Sequence, residues 1–316
     1  MNRLIWKNGK IMSEENAVFS IYDSALMQGS IFEMTRSFNG KHFKLKEHIQ
    51  RLYESAKYIG LNIPYTPDEL YNACYELSDL NNHGENMEHR LIITASHGPL
   101  SIYNQIENIE MGPQTIITDI PLKWTVRGMG KFFTDGINLM TPSQRAIPSR
   151  IISNKTKHHN RLHFLRANLE VSKSKEPNTW ALLLDDNGYL AECVGANIFI
   201  IKNDNILTPK TTNILKGISR EYVMTELAKV TETDIDLHDA INADEIFITA
   251  TPFCILPVTK LNGIQIGSGK IGNKTKYLID RWSIKVNVNI PQQIIDWNKN
   301  DENITEGMSP YTFHNK

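Results

Sequence analysis

Apolar residues recur in two rhythms along this chain of 316 residues. Leu45, Ile49, Leu52, Ala56 and Ile59 fall at the spacing of one helix face, and Gly60 sits where such a helix would stop. Thr66-Pro67-Asp68-Glu69 reads as a capping box with proline at the first helical position. Leu70, Ala73, Cys74 and Leu77 supply the apolar stripe of that second helix. Shorter runs carry the other rhythm. Ile5 to Ile11, Ala17 to Ile21 and Phe32 to Phe38 read as strands, the last turning at Asn39-Gly40 into Lys41-His42-Phe43. Arg90 to Ser96 and Gln114 to Ile120 add two more.

Periodicity then lapses around Gly128 and Gly130, so residues 122–131 are expected to link a smaller N-terminal domain, 1–121, to a larger one, 132–285. The larger domain opens with a helix from about Asn160 to Lys173. Strands Trp180 to Asp185 and Tyr189 to Cys193 follow, joined through the hairpin signal Asp186-Asn187-Gly188. Asn197 to Lys202 and Ile206 to Pro209 form the next pair, then a helix from Ile218 to Val230 and a strand from Glu245 to Ala250. Residues 286–316 are rich in Asn, Asp and Gln and are expected to form a C-terminal tail. The order is α+β in two domains rather than a strict βαβ alternation.

Composition narrows the class. Hydrophobic residues make up 41%, enough for a sizeable core, and 34 basic residues balance 35 acidic ones. That balance argues against a nucleic-acid or membrane partner. Three scattered cysteines, Cys74, Cys193 and Cys254, suggest neither a disulfide framework nor a zinc site, and fit a reducing compartment. Neither a signal-peptide run at the N-terminus nor a membrane-spanning stretch is visible, so the expected location is cytoplasmic.

The candidate chemistry rests on residues that are ordinary one at a time. Lys157, beside Lys155 and ahead of a helix, reads alone as a solvated charge. Glu192 ends an apolar strand, where a carboxylate needs a partner: a protonated pyridine nitrogen would serve, as would an arginine. Leu215-Lys216-Gly217-Ile218-Ser219-Arg220 puts glycine and a hydroxyl at a helix start, which is an anion site or simply a capped helix. Thr251 follows a strand and offers a further donor; Arg51 lies off its helix's apolar stripe and is either a phosphate partner or part of a solvated face. His158, His159 and His163 cluster, and His159 with His163 has the i, i+4 spacing of a zinc pair, but that pair has no intervening glutamate and no clear third ligand, so no metal is expected.

Taken in order, these pieces resemble the fold-type IV pyridoxal phosphate (PLP) enzymes, the class IV aminotransferases. The resemblance runs from about Ile21 to Gly272. Ser24 through Glu33 looks like the family's entry segment, and Glu47-His48-Ile49-Gln50-Arg51-Leu52 like its phosphate-arginine helix. Lys157-His158-His159-Asn160 matches its Lys-x-x-Asn; Gly188 to Glu192 and Asn197-Ile198-Phe199 match its Gly-x-x-x-Glu and Asn-x-Phe. Leu215 to Arg220 matches its Leu-x-Gly-Ile-Thr-Arg with serine for threonine, and Glu245 to Thr251 with Pro257-Val258 closes the series.

The resemblance implies a two-domain fold like that of D-amino-acid aminotransferases. It implies PLP bound to Lys157 as a Schiff base, with Lys157 also moving the proton. Glu192 would hold the pyridine nitrogen, Leu215 would pack on the ring, and Arg51, Ile218, Ser219 and Thr251 would bind the phosphate. It implies a homodimer or higher homo-oligomer working on small molecules, an amino acid and a 2-oxo acid.

The reaction stays open at this point between transamination, aminodeoxychorismate lyase, D-amino-acid transamination and PLP binding without turnover. Arg161 stands where branched-chain enzymes have tyrosine, and no Arg-x-His pair follows Ser96 as in D-amino-acid enzymes. Lys157-His158-His159-Asn160-Arg161-Leu162 looks most like the lyases, but Met34 replaces their threonine. Transamination is the expected reaction. Phe32, Met34, Arg36 and Ala250 are the candidate substrate contacts, and the apolar Phe32 and Met34 favour a branched-chain or other hydrophobic substrate.

Overall fold

The structure, a computed structural model, describes residues 3–84, 86–174 and 176–299. Two compact units emerge. One takes the chain up to Trp124 together with Thr156–Arg161; the other takes Thr125–Lys155 and the chain from Leu162 onward. Lys157 therefore belongs to the first unit, although it follows a stretch of the second.

The first unit contains β1 (Leu4–Lys7), β2 (Lys10–Ser13), α1 (Ser24–Met27), β3 (Ile31–Met34), β4 (Ser37–Phe38), β5 (Lys41–His42), α2 (Leu45–Tyr58), α3 (Pro67–Leu80), β6 (His89–Ser96) and β7 (Gln114–Pro121). Its main sheet has the order β2-β1-β7-β6-β3. Leu91, Ile93 and Ala95 alternate along β6 and point one way, as the two-residue strand period requires. They meet Leu45, Ile49, Leu52 and Ala56 of α2 and Leu70, Ala73, Cys74 and Leu77 of α3. The capping box of α3 forms as expected: Glu69 N donates to Thr66 Oγ1 at 3.2 Å, and Thr66 N donates to Glu69 Oε2 at 2.6 Å. Three expectations fail here. Ile5 to Ile11 is a hairpin of two strands turning at Asn8-Gly9. Ala17 to Ile21 is not a strand: Val18 and Ile21 stay exposed, so no sheet face covers the alternating side chains. Phe32 to Phe38 divides into β3 and β4, which join different sheets.

The expected linker holds α4 (Leu122–Thr125), and Leu122, Val126 and Met129 within it are buried. The second unit continues with α5 (Phe132–Asp135), β8 (Ile137–Met140), α6 (Leu162–Val171), β9 (Thr179–Leu184), β10 (Leu190–Cys193), β11 (Ala196–Lys202), β12 (Asn205–Pro209) and α7 (Ile218–Tyr222). It ends with β13 (Val230–Thr233), α8 (Leu237–Ile241), β14 (Glu245–Ala250), β15 (Cys254–Leu261), β16 (Ile264–Gln265), α9 (Asn273–Val286) and α10 (Ile290–Asn298). Strand β10 pairs with both β9 and β11, so the run β10-β9-β8-β15-β14-β11 closes on itself. Closure explains why β9 and β14 lack polar alternation: both faces are covered.

The helix expected to reach Val230 is shorter. After α7 the backbone widens into a π turn over Val223–Leu227, and Val230 is taken by parallel pairing with Ile206. The expected tail is helical as far as it is described, with α10 capped by Asn289; residues 300–316 lie outside the described residues. Among the described residues, no helix is long and apolar enough to cross a membrane.

Candidate active site

In the first unit, Thr156–Arg161 runs beside β3. Phe32 N donates to Lys157 O at 3.0 Å, His159 N donates to Ser30 O at 2.8 Å, and Ile31 bridges His158. Lys157 N also donates to Ser55 Oγ of α2 at 3.3 Å. The half-buried lysine sends Nζ over the Phe32 ring, 4.9 Å from its centroid. His159 stacks on Phe32 at 4.0 Å and 10°, and Ser30 Oγ lies 2.7 Å from its Nδ1. Part of His159 meets solvent, but the stack strips water from its ring face. That desolvation, with Arg161, Lys157 and His158 nearby, lowers its pKa to about 4.

Arg51 is buried, not on a solvated face. It makes a two-point ion pair with Glu33, Nε to Oε1 and Nη2 to Oε2, each at 2.7 Å. His48 Nδ1 lies 2.7 Å from the same Oε2. Burial by itself would raise the Glu33 pKa, but Arg51 and His48 outweigh it and hold the carboxyl at about 2. Glu33 carried no role in the sequence reading; its signal was an acidic residue inside an apolar strand.

The other candidates from the entry segment sit close by. Phe32 is fully buried under His159. Met34 Sδ accepts from Arg90 Nη2 at 2.9 Å. Arg36 is fully buried, donates from Nε to Ser37 O, and stacks its guanidinium 3.8 Å from the Phe38 centroid.

In the second unit a row of polar side chains crosses the closed sheet. Glu192 pairs with Asn197, and Asn197 with Thr249, so the three lie in register on one face of β10, β11 and β14. Glu192 is buried, and its Oε2 accepts from Asn197 Nδ2 and from Leu215 N, both at 3.2 Å. Asn197 Nδ2 also donates to Leu215 O at 3.0 Å, so one amide ties the carboxylate to the loop before α7. A Cβ on Gly217 would stand 2.0 Å from Asn197 Oδ1, so only glycine fits that approach. Gly217 caps α7 without a side-chain bond, which leaves the N–H groups of Ile218 and the buried Ser219 at an open helix start. Thr251 opens the turn between β14 and β15, next to the buried Ala250. Asn197 and Thr249 are the residues that sequence reasoning passed over. Asn197 was visible as part of Asn-x-Phe and Thr249 as part of the Glu245–Thr251 segment, but neither was given a role; the role of Thr249 follows from its register.

The residues therefore fall into two sets. Arg51, Lys157, Phe32, Met34 and Arg36 share the first unit, and Glu192, Leu215, Ile218, Ser219, Ala250 and Thr251 the second. A family model described as amino-transferase class IV matches residues 30–261. A "putative branched-chain-amino-acid aminotransferase" of Methanocaldococcus jannaschii is 36% identical over 297 residues, covering 89% of this chain and 98% of its own. A branched-chain amino acid aminotransferase structure from Escherichia coli superposes with a TM-score of 0.80 at 26% identity, covering 96% of this chain and 98% of that one. The T.th. branched-chain enzyme complexed with N-(5'-phosphopyridoxyl)-L-glutamate gives 0.77 at 27% identity, over 94% and 98%. The chain belongs to the class IV aminotransferases and is a PLP-dependent transaminase.

Proposed function

We propose that this enzyme moves an amino group between a branched-chain or other hydrophobic amino acid and a 2-oxo acid, with PLP attached to Lys157. The observation that carries the cofactor assignment is the row Glu192, Asn197, Thr249. It presents a buried carboxylate and a buried hydroxyl, Thr249 Oγ1, that has no hydrogen-bond partner. Beside Asn197 is the close approach of Gly217, where the loop into α7 leaves no room for a Cβ. A flat ring with a basic nitrogen and an anionic arm suits that set of groups, because a buried carboxylate can accept from a protonated ring nitrogen and N–H groups at a helix start can donate to an anion.

Bound there, PLP supplies an electron sink that lets the Cα–H bond of an amino acid ionise. The other steps belong to the chain. Lys157 would hold the cofactor covalently through Nζ and, once freed, would carry the proton between the substrate Cα and the cofactor's C4′. Glu192, kept from water and fixed by Asn197 and Leu215 N, would hold a proton on the ring nitrogen. Leu215 would pack on the ring; Arg51, Ile218 N, Ser219 and Thr251 would bind the phosphate. Glu33 fixes the Arg51 guanidinium before any phosphate arrives, which lowers the entropy lost on binding.

The substrate assignment is supported by the branched-chain enzymes named above and by the apolar Phe32 and Met34, with Arg36 and Ala250 as further candidate contacts. The purified enzyme is to be mixed with L-leucine, D-alanine or aminodeoxychorismate, with 2-oxoglutarate for the amino acids. Glutamate formation from L-leucine is expected. Turnover of D-alanine alone, or pyruvate release from aminodeoxychorismate, would sink the assignment.

A further inference from the structure

One buried ionic cluster in the first unit takes no part in the transamination chemistry. Asp119 of β7 pairs with Leu91 of β6, two pairs away from His89 opposite Pro121, so Asp119 and His89 share a sheet face. His83 comes from the loop that follows α3. His89 Nδ1 is 2.8 Å from Asp119 Oδ2, and His83 Nε2 is 3.2 Å from Asp119 Oδ1. The two imidazoles lie 4.8 Å apart between centroids.

The cluster is largely screened from water, with Asp119 fully buried and the two histidines partly so. The side chains of His83, His89 and Asp119 are 5%, 14% and 0% exposed. Neither His83 Nε2 nor Asp119 Oδ1 has a hydrogen-bond partner, because the two are close but misaligned for one. Among the described residues no lysine or arginine ion-pairs with Asp119; the imidazoles of His83 and His89 lie within ion-pair distance, and His42 and Cys74 also face it. A third histidine, His42, lies 6.0 Å from the His89 ring and bonds Ser78 Oγ at 2.8 Å through Nε2. A buried carboxylate with a bare oxygen, facing a buried imidazole with a bare nitrogen, is costly as it stands.

We propose that His83, His89 and Asp119 form a binding site for a borderline transition-metal dication of the zinc class. The three ligand atoms lie within 4.8 Å of one another. A tetrahedral zinc ion with bonds of about 2.0–2.2 Å would separate its ligand atoms by about 3.4 Å, so modest side-chain rotation brings the three into place and a water would take the fourth position. Two imidazoles and one carboxylate suit zinc, cobalt(II) or nickel(II) better than calcium or magnesium, which prefer oxygen. The bound ion would tie the loop after α3 to the β6–β7 pair and neutralise Asp119.

The test uses the untagged, PLP-loaded enzyme after chelator treatment, titrated with cobalt(II). The ion's visible d–d bands lie beyond the cofactor's absorbance. One cobalt per chain is expected, displaced by an equivalent of zinc(II), with binding weakened at least tenfold in His83→Gln. His238→Gln is the control, because Asp236, His238 and Asp239 form an exposed cluster that could also take cobalt; it is expected to change nothing. Absence of bands, equal binding by His83→Gln, or a loss confined to His238→Gln would overturn the site. Should His83→Gln fail to fold, Asp119→Asn replaces it under the same criteria.

Discussion

Asn197 spends a single amide nitrogen on two acceptors, Glu192 Oε2 and Leu215 O, and its Oδ1 faces Gly217. An amide pinned that way cannot step aside for a methyl group. Gly217→Ala is therefore expected to displace the start of α7 and weaken PLP binding at least tenfold, measured by absorbance titration, while far-UV circular dichroism stays unchanged. Adding Asn197→Ala to that variant removes the obstacle. The double variant should bind PLP better than the sum of the two single losses predicts, because contacting residues couple. Glu33 makes a second residue-scale case. Its folded pKa of about 2 lies below the ordinary 4.5, so the stability it contributes is full above about 4.5 and is lost as pH falls through 2. Glu33→Gln leaves Arg51 buried without its counter-charge and is expected to cost about 3–5 kcal/mol, read from urea unfolding at neutral pH.

Helices α2 and α3 are legible in the sequence because each buries one stripe and advertises its start or stop; Thr66→Ala should cost about 1 kcal/mol in thermal unfolding as the cap is lost. Elements that depend on distant partners are not legible. Strand β15 contains Pro257, a strand breaker in any local reading. The closed sheet accepts it opposite Phe247 and beside a register shift between Val258 and Lys260, where the ladder is already irregular. Strand β8 is four residues long and is held by parallel partners on both sides, neither of which is adjacent in sequence. The candidate site shows the same division. Motif residues such as Lys157, Glu192 and Gly217 could be named from the chain. The pairing of Glu33 with Arg51, and the position of Thr249, arise from sheet register and helix packing.

At the scale of the whole molecule, the two-domain α+β class follows from the order of elements, but the path of the chain does not. Thr156–Arg161 returns to the first unit to lie along β3, after Thr125–Lys155 has joined the second. That excursion puts Lys157 on the Phe32 ring rather than leaving it a solvated charge ahead of a helix. Acid stability is also a property of the sum. His42 and His159 are held near pKa 4, below the ordinary 6.5, chiefly by desolvation. Stability from keeping them neutral is present above about 6.5 and lost as pH falls toward 4, before Glu33 contributes its own loss. Urea midpoints measured at pH 7.5, 5.5 and 4.5 should decline in that order, and a flat profile would contradict the lowered pKa of these two histidines.

The claim on which the rest depends is that Lys157 carries the cofactor. Borohydride reduction of the PLP-loaded enzyme, followed by proteolysis and mass spectrometry, reads this directly. A phosphopyridoxyl label on Lys157 and loss of the visible absorbance in Lys157→Ala are expected. A label on another lysine, or an unlabelled protein after incubation with PLP, would contradict it.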